Sequence, residues 1–184
     1  RLGLSGNTLL FFGLIRSYKG LLGLLEAMPL VLQQVNCTLL VVGEFYEGKD
    51  RCLNLISDLG LASHVRVIDR FVPDDEVSLY FSAADLVVLP YESATQSAIV
   101  PIAFAFERPV VATRVGGLPE AVRDGETGLL VEPRNPTALA EAIIRFYEED
   151  MGGIFRQHIL KQQRFSWGEL ATTLEAAAIS RTPQ

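Results

Sequence analysis

The chain has 184 residues, 49% of them apolar, and a formal net charge of −6. That length supports one sizeable core rather than two ordinary domains, and the apolar content argues against intrinsic disorder. The acidic balance leaves no basic stripe to neutralise phosphates, so nucleic acid is not expected as the principal partner, although a local basic pocket is compatible with it.

In chain order, Leu9–Ile15 reads as a strand, followed by a helix over about Gly20–Gln34 with Leu21, Leu25, Met28 and Leu32 on one stripe. Thr38–Gly43 is the second strand, ahead of a polar loop and a helix over about Asp50–Leu59. Val65–Phe71 is the third, leading through the helix-start signal Pro73-Asp74-Asp75 into a helix that reaches about Ala83. Leu86–Pro90 and Pro109–Thr113 are continuous apolar strands on either side of a helix over about Ser97–Phe106. Thr127–Val131 follows the turn signal Asp124-Gly125, and Asn135-Pro136 opens a helix running to about Asp150. Met151-Gly152-Gly153 is expected to break that helix, with further helices over Phe155–Arg164 and Trp167–Ser180. The longest uncharged apolar runs, such as Ser97–Phe106, fall far short of a membrane span, and no signal peptide is recognisable. The chain opens at Arg1 without an initiator Met, so the expectation is a domain cut from a longer protein.

Alternating strands and helices with near-continuous apolar strands predict a Rossmann-like, three-layer α/β/α domain. Its parallel sheet of about six strands is covered on both faces and followed by extra C-terminal helices. Ligands of such sheets bind outside the carboxyl ends of the strands, so the loops there are the place to look for chemistry.

The loop Gly13–Gly20 (GLIRSYKG) carries two cations. Arg16 offers a forked contact and Lys19 a point charge to a diphosphate; a solvated loop with a helix-start glycine is the alternative. It is neither a Walker loop nor a GxGxxG turn. Gly43 ends the second strand, again at the carboxyl edge where a ligand can be approached; a plain turn glycine is the alternative. Phe71 and Val72 follow the third strand, where a nucleobase can pack, or where they complete the rim of the core. Thr95, Gln96 and Ser97 lie at a loop-to-helix junction and can cap the helix, bind ligand oxygens, or both. Gly116 and Gly117 let backbone N–H groups approach a bulky anion. Glu120 is placed to accept from a ribose or sugar hydroxyl, or is an ordinary helix-start carboxylate. Cys37 and Cys52 read as reduced thiols without metal-ligand spacing, and His64 and His158 stand alone. No Ser/His/Asp set, paired-carboxylate pattern or metal cluster stands out, so the chain supplies binding groups and no evident general base.

Together these segments resemble the C-terminal domain of the retaining GT-B glycosyltransferases of group 1, also called family 4, over nearly the whole chain. The family's G-R-x-x-x-x-K-G loop is matched at Gly13, Lys19 and Gly20, with Leu14 at the Arg position and Arg16 two residues on. Its D-v-x-v-x-P-S strand resembles Asp85–Pro90, with Tyr91 in place of Ser, and its P-V-V-A-T strand is matched by Pro109–Thr113. Gly116, Gly117, Glu120, Val122, Asp124, Gly125, Gly128 and Leu130 match the following motif, and Phe165-Ser166-Trp167 looks like the family's ending. The family's hallmark pair of glutamates would fall at Ala94 and Ile102, where both carboxylates are absent; Glu92 and Glu107 lie nearby out of register, Glu107 at a usual Gly position.

The resemblance implies the donor-binding half of a GT-B sugar transferase of hexosyltransferase type. The donor is a nucleotide-diphosphate sugar, held without a metal or other cofactor. Its diphosphate would lie among the Gly13–Gly20 loop, Ser97 and Gly116-Gly117, with Arg16 and Lys19 stabilising charge on the leaving group. The acceptor (a sugar, lipid or glycan) would sit on an N-terminal domain, and these 184 residues alone are expected to bind nucleotide weakly and transfer no sugar. A cytoplasmic location is expected, with peripheral attachment to the inner face of the membrane left open. A GT-B sugar epimerase or a non-catalytic binding or assembly module of the same fold are the alternatives. Either Thr95, Gln96 and Ser97 take over the contacts of the missing glutamates, as in a variant subgroup, or donor binding is weakened.

Overall fold

The computed structural model describes residue 4 and residues 6–163. Six apolar segments pair into one parallel sheet in the order β3-β2-β1-β4-β5-β6. The strands are β1 (Asn7–Phe12), β2 (Cys37–Val42), β3 (Val65–Ile68), β4 (Leu86–Leu89), β5 (Val110–Thr113) and β6 (Gly128–Val131). The helices between and after them are α1 (Leu21–Leu32), α2 (Lys49–Asp58), α3 (Asp74–Ala83), α4 (Ile99–Ala105), α5 (Leu118–Ala121) and α6 (Pro136–Glu148).

The strands lack polar alternation because both faces are covered. Along β1, Leu9 and Phe11 pack with Leu24, Leu25 and Met28 of α1 and with Leu139 and Ile143 of α6. Leu10 and Phe12 point the other way, into Tyr80 and Phe81 of α3 and Val100 and Phe104 of α4. The result is the three-layer α/β/α arrangement. The predicted α1 stripe holds with one adjustment: Leu21, Leu25 and Met28 are buried, whereas Leu32 is partly buried at the edge of that core. At the amino edge of the sheet, an Asp85 carboxylate oxygen accepts the Thr8 N–H at 2.7 Å and ties β4 to β1. The Asp of the D-v-x-v-x-P match is thus part of the scaffold, at the end of the sheet away from the strand-end loops.

Several boundaries differ from the sequence reading. β1 stops at Phe12, and Ile15 is instead buried in the following loop, where it forms an isolated bridge with Phe45. β3 ends at Ile68, leaving Phe71 and Val72 beyond the strand. α4 begins at Ile99 rather than Ser97. The break after α6 falls at Asp150, whose left-handed φ of 47° ends the helix, and not at Gly152-Gly153, which lie inside a further helical run over 151–163. The expected helix over Trp167–Ser180 and the Phe165-Ser166-Trp167 match lie outside the described residues.

Candidate functional site

β1 is followed by β2 on one side of it in the sheet, and β4 lies on its other side, so the loops leaving β1 and β4 diverge at their carboxyl ends. Such a switch point is where open α/β sheets hold ligands. Here it opens into a pocket of about 510 Å³ whose lining includes Tyr18, Lys19, Tyr91, Thr95, Gln96 and Ser97. No carboxylate lines it, and Lys19 is its one charged side chain among the described residues.

The loop after β1 makes a single 3-10 turn, Ser17–Lys19, closed by Gly20 in the left-handed region at φ 70°. Gly20 is also packed so closely on the carboxyl end of β4 that a Cβ there would sit 1.9 Å from the Pro90 carbonyl oxygen. This contact draws the turn over the sheet edge and delivers Lys19. Its ammonium lies 3.1 Å from where a Cβ of Gly13 would be and 5.7 Å from the centroid of the Tyr91 ring. Burial, and secondarily the Arg16 charge, pull the Lys19 ammonium below its ordinary pKa. No ion pair among the described residues involves it.

Arg16 takes a different course. Its guanidinium carbon lies 4.4 Å from the centroid of Tyr46, on the loop after β2, and its Nε is buried without a hydrogen-bond partner. The same two loops are stapled by Glu47, whose carboxylate accepts the Ser17 N–H at 2.9 Å and the Ser17 hydroxyl at 2.8 Å. The Ser17 N–H first, and then its hydroxyl, hold the Glu47 carboxyl below its usual range. Arg16 is therefore beside the pocket, on its β2 flank, and not in its lining. Gly43 backs directly onto the Gly13 carbonyl, which keeps the two strand ends together. Phe71 is 71% exposed beyond β3, whereas Val72 is buried in the α3-side core.

The loop after β4 forms the opposite wall. Tyr91 is buried; its carbonyl accepts the Thr113 hydroxyl at 2.6 Å, and its own hydroxyl lies 3.4 Å from the Ser97 hydroxyl. Ser97 Oγ also accepts the N–H of Ile99, the first residue of α4, at 3.2 Å, while Ala98 occupies the N-cap position. Thr95 and Gln96 are exposed in the pocket. Gly116 and Gly117 press against the backbone of Ala94 and Thr95, and the Gly117 N–H donates to the Thr95 carbonyl at 2.8 Å. The glycine pair thus packs the loop after β5 onto the loop after β4, with the Gly117 donor already used. Glu120 is exposed on α5 and does not line the pocket.

At the two positions without glutamate, Ala94 lines the pocket and Ile102 packs on the α3-side core. The nearby carboxylates are engaged elsewhere: Glu92 pairs with Arg134 at 2.9 Å, and Glu107, at φ 58°, pairs with Arg156 at 2.5 Å. Tyr18 and Tyr91, packed edge to face with centroids 6.3 Å apart, are two of the lining residues that sequence reasoning did not single out for the site; Ser93, Ala98 and Ile99 are the others. The substitution of Tyr91 at the Ser position was the available signal. Among the described residues there is no cluster of three or more His, Cys, Asp or Glu side chains able to hold a metal, and no helix long and apolar enough to cross a membrane.

The model of the family "Glycosyl transferases group 1" matches residues 6–149. The chain belongs to the group 1 glycosyltransferases. It is 32% identical to a D-inositol 3-phosphate glycosyltransferase of Corynebacterium efficiens over 94% of this chain and 42% of that protein. It is 35% identical to the Pseudarthrobacter chlorophenolicus protein of the same name, over 94% of this chain and 43% of that one. This group 1 chain therefore spans less than half the length of these curated relatives. Among solved structures, sucrose-phosphate synthase from Thermosynechococcus elongatus superposes with a TM-score of 0.73 at 27% identity, over 94% of this chain and 46% of that one. The C-terminal domain of a group 1 glycosyl transferase from Francisella tularensis gives 0.79 at 23% identity, covering 88% of this chain and 86% of that domain. Anabaena HepE in complex with UDP gives 0.75 at 24% identity, over 93% and 49%. The last two bear on the fold alone.

Proposed function

We propose that this chain is the nucleotide-sugar-binding domain of a longer two-domain glycosyltransferase, of hexosyltransferase type. It holds the nucleoside diphosphate of an activated sugar while an N-terminal domain presents the acceptor. The observation that carries this reading is Lys19: a desolvated ammonium, without a carboxylate partner among the described residues, at the β1/β4 switch point of a sheet of this family. A cation desolvated in a pocket free of carboxylates favours an anion as its occupant. Membership of the group 1 glycosyltransferases supports an activated, nucleotide-diphosphate sugar as that anion. The partial span of the relatives' length supports a second domain.

Lys19 sits where it can stabilise negative charge growing on the leaving diphosphate, work that a metal ion does in other transferases. Arg16 reinforces the potential from the β2 flank. Ser97, Thr95 and Gln96 line the pocket toward the diphosphate and the sugar hydroxyls, with Gly116 packed behind them on Ala94 and Thr95, and Phe71 offers an exposed ring to the base.

One observation favours a second reading, a non-catalytic binding module: neither Ala94 nor Ile102 brings a carboxylate to the pocket, and Glu92 and Glu107 are already paired. Calorimetric titration of the full-length protein with UDP, GDP and their sugars separates the two. The transferase reading expects nucleotide binding that weakens on Lys19→Ala and on Arg16→Ala; no binding to any nucleotide would favour the module. Robust sugar transfer by residues 1–184 alone would overturn the two-domain assignment.

A further inference from the structure

We propose that Tyr91 is a positioning residue whose ring holds the Lys19 ammonium over the carboxyl end of β1, in place of the carboxylate counter-ion that the pocket does not provide. The proposal rests on the reading of Lys19 as the phosphate-binding cation.

A partly buried ammonium is steadied by an acidic partner, because desolvation otherwise disfavours its charged form. Among the described residues no such partner is at hand around Lys19. On its own turn the facing groups are Arg16, which repels it, and Tyr18. From the β1 end and from α4 its neighbours are Gly13 and the apolar Ile99. From the loop after β4 they are Tyr91 and the hydroxyl of Ser97. Two carboxylates of the loops that flank the pocket are spent: Glu47 holds Ser17 and Glu92 holds Arg134.

The remaining source of negative potential is an aromatic face. The Lys19 Nζ lies 5.7 Å from the Tyr91 centroid, inside the range at which a ring quadrupole attracts a cation, and that attraction grows when the pair is desolvated. The ring is itself fixed from three sides. Thr113 donates to its backbone carbonyl at 2.6 Å, Tyr18 meets it edge-on, and Ser97 lies at its hydroxyl. An aromatic partner has an advantage that a carboxylate lacks: it steadies the cation without neutralising it, so the ammonium keeps its charge for an incoming anion. This gives the substitution of Tyr for Ser at position 91 a role, and explains how a lysine stays poised in a pocket free of acids.

The test is feasible because the chain holds three lysines, Lys19, Lys49 and Lys161. Lysine side chains labelled with ¹³C at Cε are titrated by NMR in the full chain, and UDP affinity is measured in parallel at pH 7.5. Tyr91→Phe keeps the ring and is expected to leave the Lys19 pKa and the UDP affinity at wild-type values. Tyr91→Leu removes it, and the Lys19 pKa is expected to fall by about one unit, with UDP binding about five- to tenfold weaker. Because position 91 is buried, 3,4,5-trifluorophenylalanine placed there provides a shape-conserving check. It drains the ring's negative face and is expected to lower the Lys19 pKa below that of the Phe variant. A Lys19 titration unchanged in both the Leu and the trifluorinated variants would overturn the proposal. A Lys19→Ala variant that binds UDP like wild type would instead sink the functional reading, while the titration still decides the role of Tyr91.

Discussion

Gly20 and Gly23 lie three residues apart at the start of α1, and the same substitution is predicted to act on them in opposite directions. At Gly20, alanine would have to adopt a φ of 70° and place its Cβ 1.9 Å from the Pro90 carbonyl oxygen and 2.9 Å from its carbon. The left-handed conformation costs a non-glycine residue about 1–2 kcal/mol. The overlap is with backbone at the end of β4, which cannot rotate away, so a further penalty of about 1–3 kcal/mol for overpacking applies. The sum, about 2–5 kcal/mol, corresponds to a melting temperature lower by about 4–20 °C for a domain of this size. At Gly23, inside α1, nothing lies within 4 Å of the added methyl. Alanine there is expected to stabilise the helix by about 0.5–1 kcal/mol, raising the melting temperature by about 1–4 °C. Thermal unfolding of the two variants followed by circular dichroism is the assay. A Gly20→Ala protein that melts with the wild type, or a Gly23→Ala protein that melts earlier, would refute the claim that close approach to Pro90 seats the Lys19 turn.

Three further outcomes are expected. Thr113→Val removes the buried 2.6 Å donor to the Tyr91 carbonyl and should destabilise the protein by about 1–3 kcal/mol in urea unfolding, with UDP binding weakened alongside. Asn135→Ala deletes the side-chain oxygen that accepts the Ala138 N–H at 3.0 Å and caps α6; a loss of about 0.5–2 kcal/mol should follow in the same assay. The depressed Lys19 pKa gives a pH signature. Between its folded value and the ordinary 10.5 the unfolded chain binds more protons, so the Lys19 contribution to stability improves as pH rises through that window. Below the window the ammonium is charged in both states and its burial penalty is fully felt. Lys19→Met should therefore be more stable than wild type at neutral pH, with the difference shrinking as pH approaches 10.5; a difference that grows with pH would contradict the assignment.

The fold was legible in the sequence because buried parallel strands leave a strong trace: six apolar runs separated by helical periodicity admit few other architectures. The ends of those runs were not, since apolar character does not say what a residue is buried against. Ile15 continues the hydrophobic run of β1 yet buries itself in a loop against Phe45, and Phe71 follows β3 yet stands exposed. The position of Lys19 could be read from its spacing within the Gly13–Gly20 loop. The course of Arg16 could not, because it depends on stacking with Tyr46, thirty residues further along the chain. Gly116-Gly117 was visible as a backbone device, but the surface it packs against, Ala94 and Thr95, is a tertiary fact. The lost glutamates were evident from register alone, whereas the aromatic corner of Tyr18 and Tyr91 needed the loops after β1 and β4 to be brought face to face.

Calorimetric titration of UDP into the full-length wild-type protein and its Lys19→Ala variant tests the central claim most directly. Loss of a charged hydrogen bond to the diphosphate is worth about 1.5–3 kcal/mol, so the variant is expected to bind about ten- to a hundredfold more weakly. Equal affinity in the two proteins, or no binding of UDP, GDP or their sugars by the wild type, would contradict the account of this pocket as a nucleotide-sugar site.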